Sequence, residues 1–359
     1  MAGSTFFLLV TFIFYSSCCI DFAAPATNPL PKFSALFCFG DSILDTGNNN
    51  YIKALFKSDY RPYGQDFPNG IPTGRFSNGR LIPDMLASVL EIKDTLPPFL
   101  QPNLSNEDLI TGVNFASAGS GFDAKTNALT NAISFSRQID LFKDYVARLK
   151  GVVGEEKAMQ IINDAVIVVT GATDDYVFNI FDFPTRRFEF TPRQYGDFLL
   201  NNLQNITKEL YSLGLRAMLV LGLPPVGFLP FQTSIRLANP FALRYSLEEQ
   251  NEISADYNQK LIGTLSQLQQ TLPGSKIVYT DVYEIIEDMV TSPQKYGFVE
   301  TKDVCCGSGL LEQNPSCDPF TPPCQQPSKF LFWDRIHPTL AAYHYIFNSL
   351  VQNVLPKFL

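Results

Sequence analysis

Short runs of apolar residues punctuate this chain, and they constrain its fold more than anything else in it: Ser34-Ala-Leu-Phe-Cys-Phe39, Gly112 to Ala116, Ala165 to Thr170, Ala217 to Gly222 and Lys276 to Asp281. Each is bounded by glycine or polar residues, as expected of a strand buried on both faces. Between the runs the period changes. Ile139, Phe142, Val146 and Leu149 step by 3, 4 and 3, and Leu199, Leu203, Ile206, Leu210 and Leu213 step by 4, 3, 4 and 3, so each set marks one face of a helix. Strand and helix in alternation predict crossover units, and hence an α/β fold with a parallel sheet of about five strands flanked by helices. Ligands of such sheets meet the carboxyl ends of strands, so chemistry is sought just after each run.

The chain has the material for a core: 45% of its 359 residues are hydrophobic and 17% charged, which excludes a disordered polymer. A net charge of −8 without any basic run excludes a nucleic-acid partner. Phe6 to Ile20 is apolar and is followed by Ala23, Ala24, Pro25 and Ala26, the layout of a cleaved secretory signal, although no Lys or Arg precedes the run. The expectation is a leader over residues 1–24, one domain over residues 25–359, secretion to the extracellular space or cell wall, and no stable membrane insertion after cleavage.

Export would oxidise cysteines. Cys18 and Cys19 fall in the leader and Cys38 on a buried run, while Cys305, Cys306, Cys317 and Cys324 can form two bridges. Adjacent cysteines do not readily pair with each other, so two connectivities remain open. An adjacent pair also makes poor tetrahedral ligands, so no metal is expected. Asn103-Leu-Ser105 and Asn205-Ile-Thr207 are glycan acceptors on an exported chain, whereas Asn314-Pro-Ser316 is blocked by its proline.

The first run ends in Gly40-Asp41-Ser42, which lifts a serine above the sheet edge, where backbone N–H groups can receive developing negative charge. A serine hydroxyl becomes nucleophilic when an imidazole takes its proton and a carboxylate steadies that imidazole. Asp334 and His337, three residues apart before a closing helix, supply both. The chain has two histidines, and His344 falls inside a helical pattern as a surface or packing residue. Arg75 and Arg80, in Thr73 to Arg80, are weighed between pairing with surface acids and lining the site.

These residues carry a resemblance to the plant GDSL esterase/lipase family of the SGNH hydrolase superfamily, from about Phe33 to the last helix. Phe39 to Ser42 resembles its first block, Gly112 to Gly119 its second, Thr170 to Tyr176 its third and Asp334 to His337 its fifth. The resemblance implies a three-layer flavodoxin-like fold, hydrolysis of a small-molecule or lipid ester through an acyl-enzyme, no cofactor, and Ser42, Asp334 and His337 as the catalytic set. The oxyanion would rest on backbone N–H groups of Ser42 and of Ala118 or Gly119, with residue 174 as a further donor. Here the chain departs from the family, whose Gly-x-Asn-Asp reads Ala172-Thr173-Asp174-Asp175. An ionised Asp174 cannot donate. It can if burial and Asp175 hold it protonated. Two rival expectations follow: a weakened extracellular binding protein, or an acyltransferase using the same three residues.

Overall fold

The computed structural model describes residues 29–183, 185–238, 244–307, 317 and 319–359. The expected leader with Cys18 and Cys19, and the Asn314-Pro-Ser316 tripeptide, lie outside the described residues.

Four of the apolar runs form one parallel sheet in the order β1 (Leu36–Phe39), β2 (Val166–Val169), β3 (Ala217–Leu221), β4 (Lys276–Thr280). All of β1 and β2 is buried, as parallel strands covered on both faces must be. The fifth run does not become a strand. Asn114 makes isolated parallel bridges to Cys38 and Pro98, and Phe115 N–H donates to the Cys38 carbonyl at 2.9 Å, so Gly112 to Ala116 only borders β1. Asn114 is the polar break in that run: its side-chain amide donates to the Leu44 carbonyl, drawing the segment toward the loop after β1.

The helices form where the spacing placed them. Phe135–Val153 buries Ile139, Phe142, Tyr145 and Leu149, and starts at Ser134, whose hydroxyl accepts from Arg137 N–H. Pro192–Ser212 buries Leu199, Leu203 and Leu210 behind a Thr191–Gln194 capping box. Among the described residues, no helix is long and apolar enough to cross a membrane.

Phe39 pairs with Val169 and Val169 with Val220, so the strands end level. The loops leaving β1 and β2 therefore stand side by side at the carboxyl edge. A second, two-stranded parallel sheet of β5 (Glu300–Val304) and β6 (Phe330–Phe332), which the apolar runs did not announce, leads the chain into Trp333 and Asp334. Thr339 is the cap of the closing helix Leu340–Asn353, and Pro338, two residues before that helix, accepts at its carbonyl from the Ser77 hydroxyl at 3.0 Å.

Candidate active site

Gly40 makes the turn that ends β1. Its φ is 149°, and a Cβ there would lie 2.5 Å from the Thr170 carbonyl oxygen of the neighbouring loop, so no side chain fits. The amide of Gln138 clamps it from both sides, accepting from Gly40 N–H at 2.9 Å and donating to its carbonyl at 3.0 Å. Asp45 fixes the loop beyond, taking N–H bonds from Gly47 at 2.8 Å and Asn48 at 2.7 Å. The Asn48 and Asn49 amides tie this loop to the carbonyls of Asn114, Ala116 and Ala118.

At the other end of the chain, Trp333 N–H donates to the His337 carbonyl at 2.7 Å, folding Asp334 back under the imidazole. His337 Nδ1 lies 2.8 Å from both Asp334 oxygens, and His337 Nε2 lies 2.7 Å from Ser42 Oγ. Asp334 Oδ1 also accepts the N–H groups of Ile336 at 2.9 Å and His337 at 2.7 Å, while Oδ2 accepts the Tyr63 hydroxyl at 2.7 Å. The Phe76 ring, 4.9 Å from the imidazole centroid, closes one face. Ser42, Asp334 and His337 are thus brought together, all buried, and Ser42 keeps 8% exposure toward a narrow cleft. His344 lies half-buried on the closing helix and does not line that cleft.

Ala118, Gly119 and Asp174 line the cleft opposite. One expectation needs correction. The Ala118 N–H points away from any substrate, donating to Asp45 Oδ2 at 3.0 Å. Among the described residues, the N–H groups of Ser42 and Gly119 have no protein acceptor. Asp174 is 6% exposed and its Oδ2 makes no hydrogen bond; the same is true of Asp41 Oδ2 across the junction of the two loops. Burial, then the charges of Asp41 and Asp175, hold the Asp174 carboxyl well above the usual carboxylate range. Burial pushes Asp41 up to about 6. Asp175 serves structure instead, accepting N–H groups of Phe122 at 2.7 Å and Asp123 at 3.2 Å, and the Thr126 hydroxyl.

The remaining candidates are placed as follows. Cysteine pairing is Cys305–Cys324 and Cys306–Cys317, which resolves the two connectivities, and Cys38 is a buried free thiol. Asn103 and Asn205 are both exposed. Arg75 neither meets surface acids nor lines the cleft: it is buried, grips Asp84 through Nε at 2.8 Å and Nη2 at 2.6 Å, and donates to the Thr46 carbonyl at 3.0 Å, bracing the loop that carries Ser42. Sequence reasoning missed Tyr63, Gln138 and the free oxygen of Asp41. No local pattern marks them, because Gln138 is 98 positions from Gly40 and Tyr63 is 271 from Asp334.

Comparison with known proteins identifies the family. The profile of the GDSL-like Lipase/Acylhydrolase family matches residues 36–350. GDSL esterase/lipase At2g31550 of Arabidopsis thaliana is 49% identical over 99% of this chain and 98% of its own. GDSL esterase/lipase At2g31540 of the same plant is 50% identical over 94% and 93%. GDSL esterase/lipase At2g30310, also from that plant, is 49% identical over 91% and 90%. The chain therefore belongs to the GDSL-like lipase/acylhydrolase family, a family of carboxylic ester hydrolases.

Proposed function

We propose that this chain hydrolyses carboxylic esters with Ser42 as nucleophile, His337 as base and Asp334 as the carboxylate that steadies it. The observation that carries this is the continuous series Ser42 Oγ, His337 Nε2, His337 Nδ1, Asp334, with bonds of 2.7 and 2.8 Å. As Ser42 Oγ attacks the acyl carbon its proton passes to His337, and the carbonyl oxygen becomes an oxyanion. Collapse expels the alcohol, which takes that proton, and water repeats the cycle to free the acid. The Ser42 and Gly119 N–H groups receive the oxyanion, with the neutral Asp174 carboxyl as a third donor. A fluorophosphonate probe tests the centre: labelling at Ser42 that disappears in Ser42→Ala is expected, and label that persists elsewhere overturns the assignment.

The acyl side reads as apolar. Phe56 lines the cleft, its ring stacks on Phe178 at 5.8 Å, and Phe178 stacks on Phe183 at 6.4 Å, where the track reaches solvent with Phe183 53% exposed. Exposed Leu55 is tied by its N–H to the Thr130 carbonyl, beside exposed Leu129. Such a surface gains about 0.8 kcal/mol per buried methylene, which favours lipid-like acyl chains. A series of p-nitrophenyl esters tests this: Phe183→Ser should lower kcat/KM about tenfold for dodecanoate and leave acetate unchanged.

Asp174 motivates a second reading, a binding protein with little turnover, and the same probe separates the two. Two disulfides and the apolar leader sequence favour an extracellular site of action, with residues 25–359 as one domain and glycans on Asn103 and Asn205.

A further inference from the structure

Tyr63 links the hydrolytic centre to a disulfide. Its hydroxyl donates to Asp334 Oδ2 at 2.7 Å, and the same oxygen accepts the Cys317 N–H at 3.0 Å. With the amide occupying one side of the oxygen, the hydroxyl proton is aimed at Asp334. Burial, then the nearby Asp334 charge, pushes this phenol well above the ordinary tyrosine range, so it stays a donor at any working pH. The Cys317 peptide is held in turn. Its Sγ is bonded to Cys306, whose N–H donates to the Trp333 carbonyl at 2.7 Å, and its carbonyl accepts the Tyr60 hydroxyl at 2.7 Å. The circuit closes on Trp333, the neighbour of Asp334.

We propose that Tyr63 is a positioning residue of the hydrolytic centre, and that the Cys306–Cys317 bridge sets it, so that breaking this bridge changes the basicity of the centre as well as the loop's stability. The inference rests on the roles of Ser42, His337 and Asp334 given above. A donor to Asp334 spreads its charge. With that donor removed or displaced, the carboxylate holds a proton on His337 more firmly, and the free imidazole needed to activate Ser42 is reached only at higher pH. The other groups around this pair are the carboxyls of Asp41 and Asp174 from the loops after β1 and β2, the Tyr343 phenol of the closing helix, and the neighbouring Arg335. None of them is altered by changes at Tyr63 or Cys317, so their influence cancels between variants.

The test is kcat/KM against pH for p-nitrophenyl acetate. Tyr63→Phe should move the acid limb up by about half a pH unit or more. The double variant Cys306→Ser/Cys317→Ser should move it the same way, and combining all three changes should add nothing. Cys305→Ser/Cys324→Ser, which removes the other bridge, should leave the limb in place. If the Cys306/Cys317 variant does not fold, mild reduction of the wild-type protein replaces it: fluorophosphonate labelling of Ser42 should slow at pH 5.5 and not at pH 8, and reduction of Tyr63→Phe should have no further effect. An unmoved limb in Tyr63→Phe, or additive shifts, overturns the proposal while leaving the nucleophile assignment intact. Hydrolysis or labelling that survives Ser42→Ala overturns the assignment itself.

Discussion

The two sides of Ser42 are built on opposite plans. On the imidazole side, the buried carboxylate of Asp334 takes bonds from two backbone N–H groups, the imidazole and a phenol, so both oxygens are satisfied. On the side proposed to receive the oxyanion, Asp41 and Asp174 are also buried, yet each leaves an oxygen without a partner. A buried ion without donors is unfavourable by several kcal/mol, whereas a buried neutral acid is tolerable, so the first side is built to hold a charge and the second to refuse one. The proposed hydrolysis, which generates an imidazolium on one side and an oxyanion on the other, needs such an asymmetry. Asp174 as a protonated acid offers a proton to the oxyanion; as an anion it repels it.

Removing the satisfied side gives the largest effect. Ser42→Ala and His337→Ala should each lower kcat by about 10⁴-fold or more, and together they should lose little beyond either alone, because the residues act as one unit. Steady-state kinetics on a short ester checks this, and multiplicative losses would break the series apart.

The unsatisfied side gives the next. The donor form of Asp174 exists below its raised pKa and is lost as pH rises, so that contribution fades toward alkaline pH while the imidazole requires the opposite. Asp174→Asn supplies a permanent donor, and one such donor is worth about 10²–10³ in rate. Its rate should exceed wild type most at pH 8 and least at pH 5. A ratio that stays at one across that range would remove Asp174 from the oxyanion side.

The same asymmetry reaches stability. Burial raises Asp41 and Asp45 to about 6 and Asp175 to about 7, from an ordinary 3.8. A folded state that holds protons the unfolded chain has released loses stability as pH rises between those values. That contribution is full below about 4 and is gone above about 7, so Tm at pH 5 should exceed Tm at pH 8 by about 5 °C. Asp123, held below the usual range despite its burial because Arg186 grips it, acts in the opposite direction and only in stronger acid. A Tm that rises from pH 5 to pH 8 would mean that these carboxyls are ionised in the fold.

What could be read in advance followed the range of the forces involved. Strand runs and helix faces are local patterns, and so is the Asp334 to His337 turn. The Ser42–His337 meeting, 295 positions apart, was legible through the family resemblance, to which the sheet edge announced by Gly40 and the strand before it added a modest signal. Gln138, Tyr63 and the facing of Asp41 on Asp174 depend on contacts between elements that carry no mark of each other. The choice between Ala118 and Gly119 was hidden for the same reason, since it turns on Asp45, a residue 73 positions from Ala118.

The smallest effect concerns the lead-in to Asp174. Asn69, Glu91, Asn103, Asn131 and Ala172 have positive φ without being glycine, and Ala172 alone among them is buried. It sits at φ 74°, ψ −25°, directly before the short helix Thr173–Tyr176. The left-handed region costs an alanine about 1–2 kcal/mol, while glycine there gives back about 0.5–1 kcal/mol through the freedom it has when unfolded. Ala172→Gly should therefore stabilise by about 0.5–1 kcal/mol, a gain of about 1–3 °C in Tm. The strain lies on the oxyanion side, beside the carboxyl that lacks a partner, and relief should be confined there. kcat on a short ester at pH 5 should stay within about twofold, because glycine keeps the conformation that aims Asp174. A loss of stability would mean that the Ala172 methyl contributes more by packing than its backbone costs. A large fall in kcat with stability gained would mean that the strain itself holds Asp174 in the cleft, and would tie the refusal of charge on this side to backbone conformation as well as to burial.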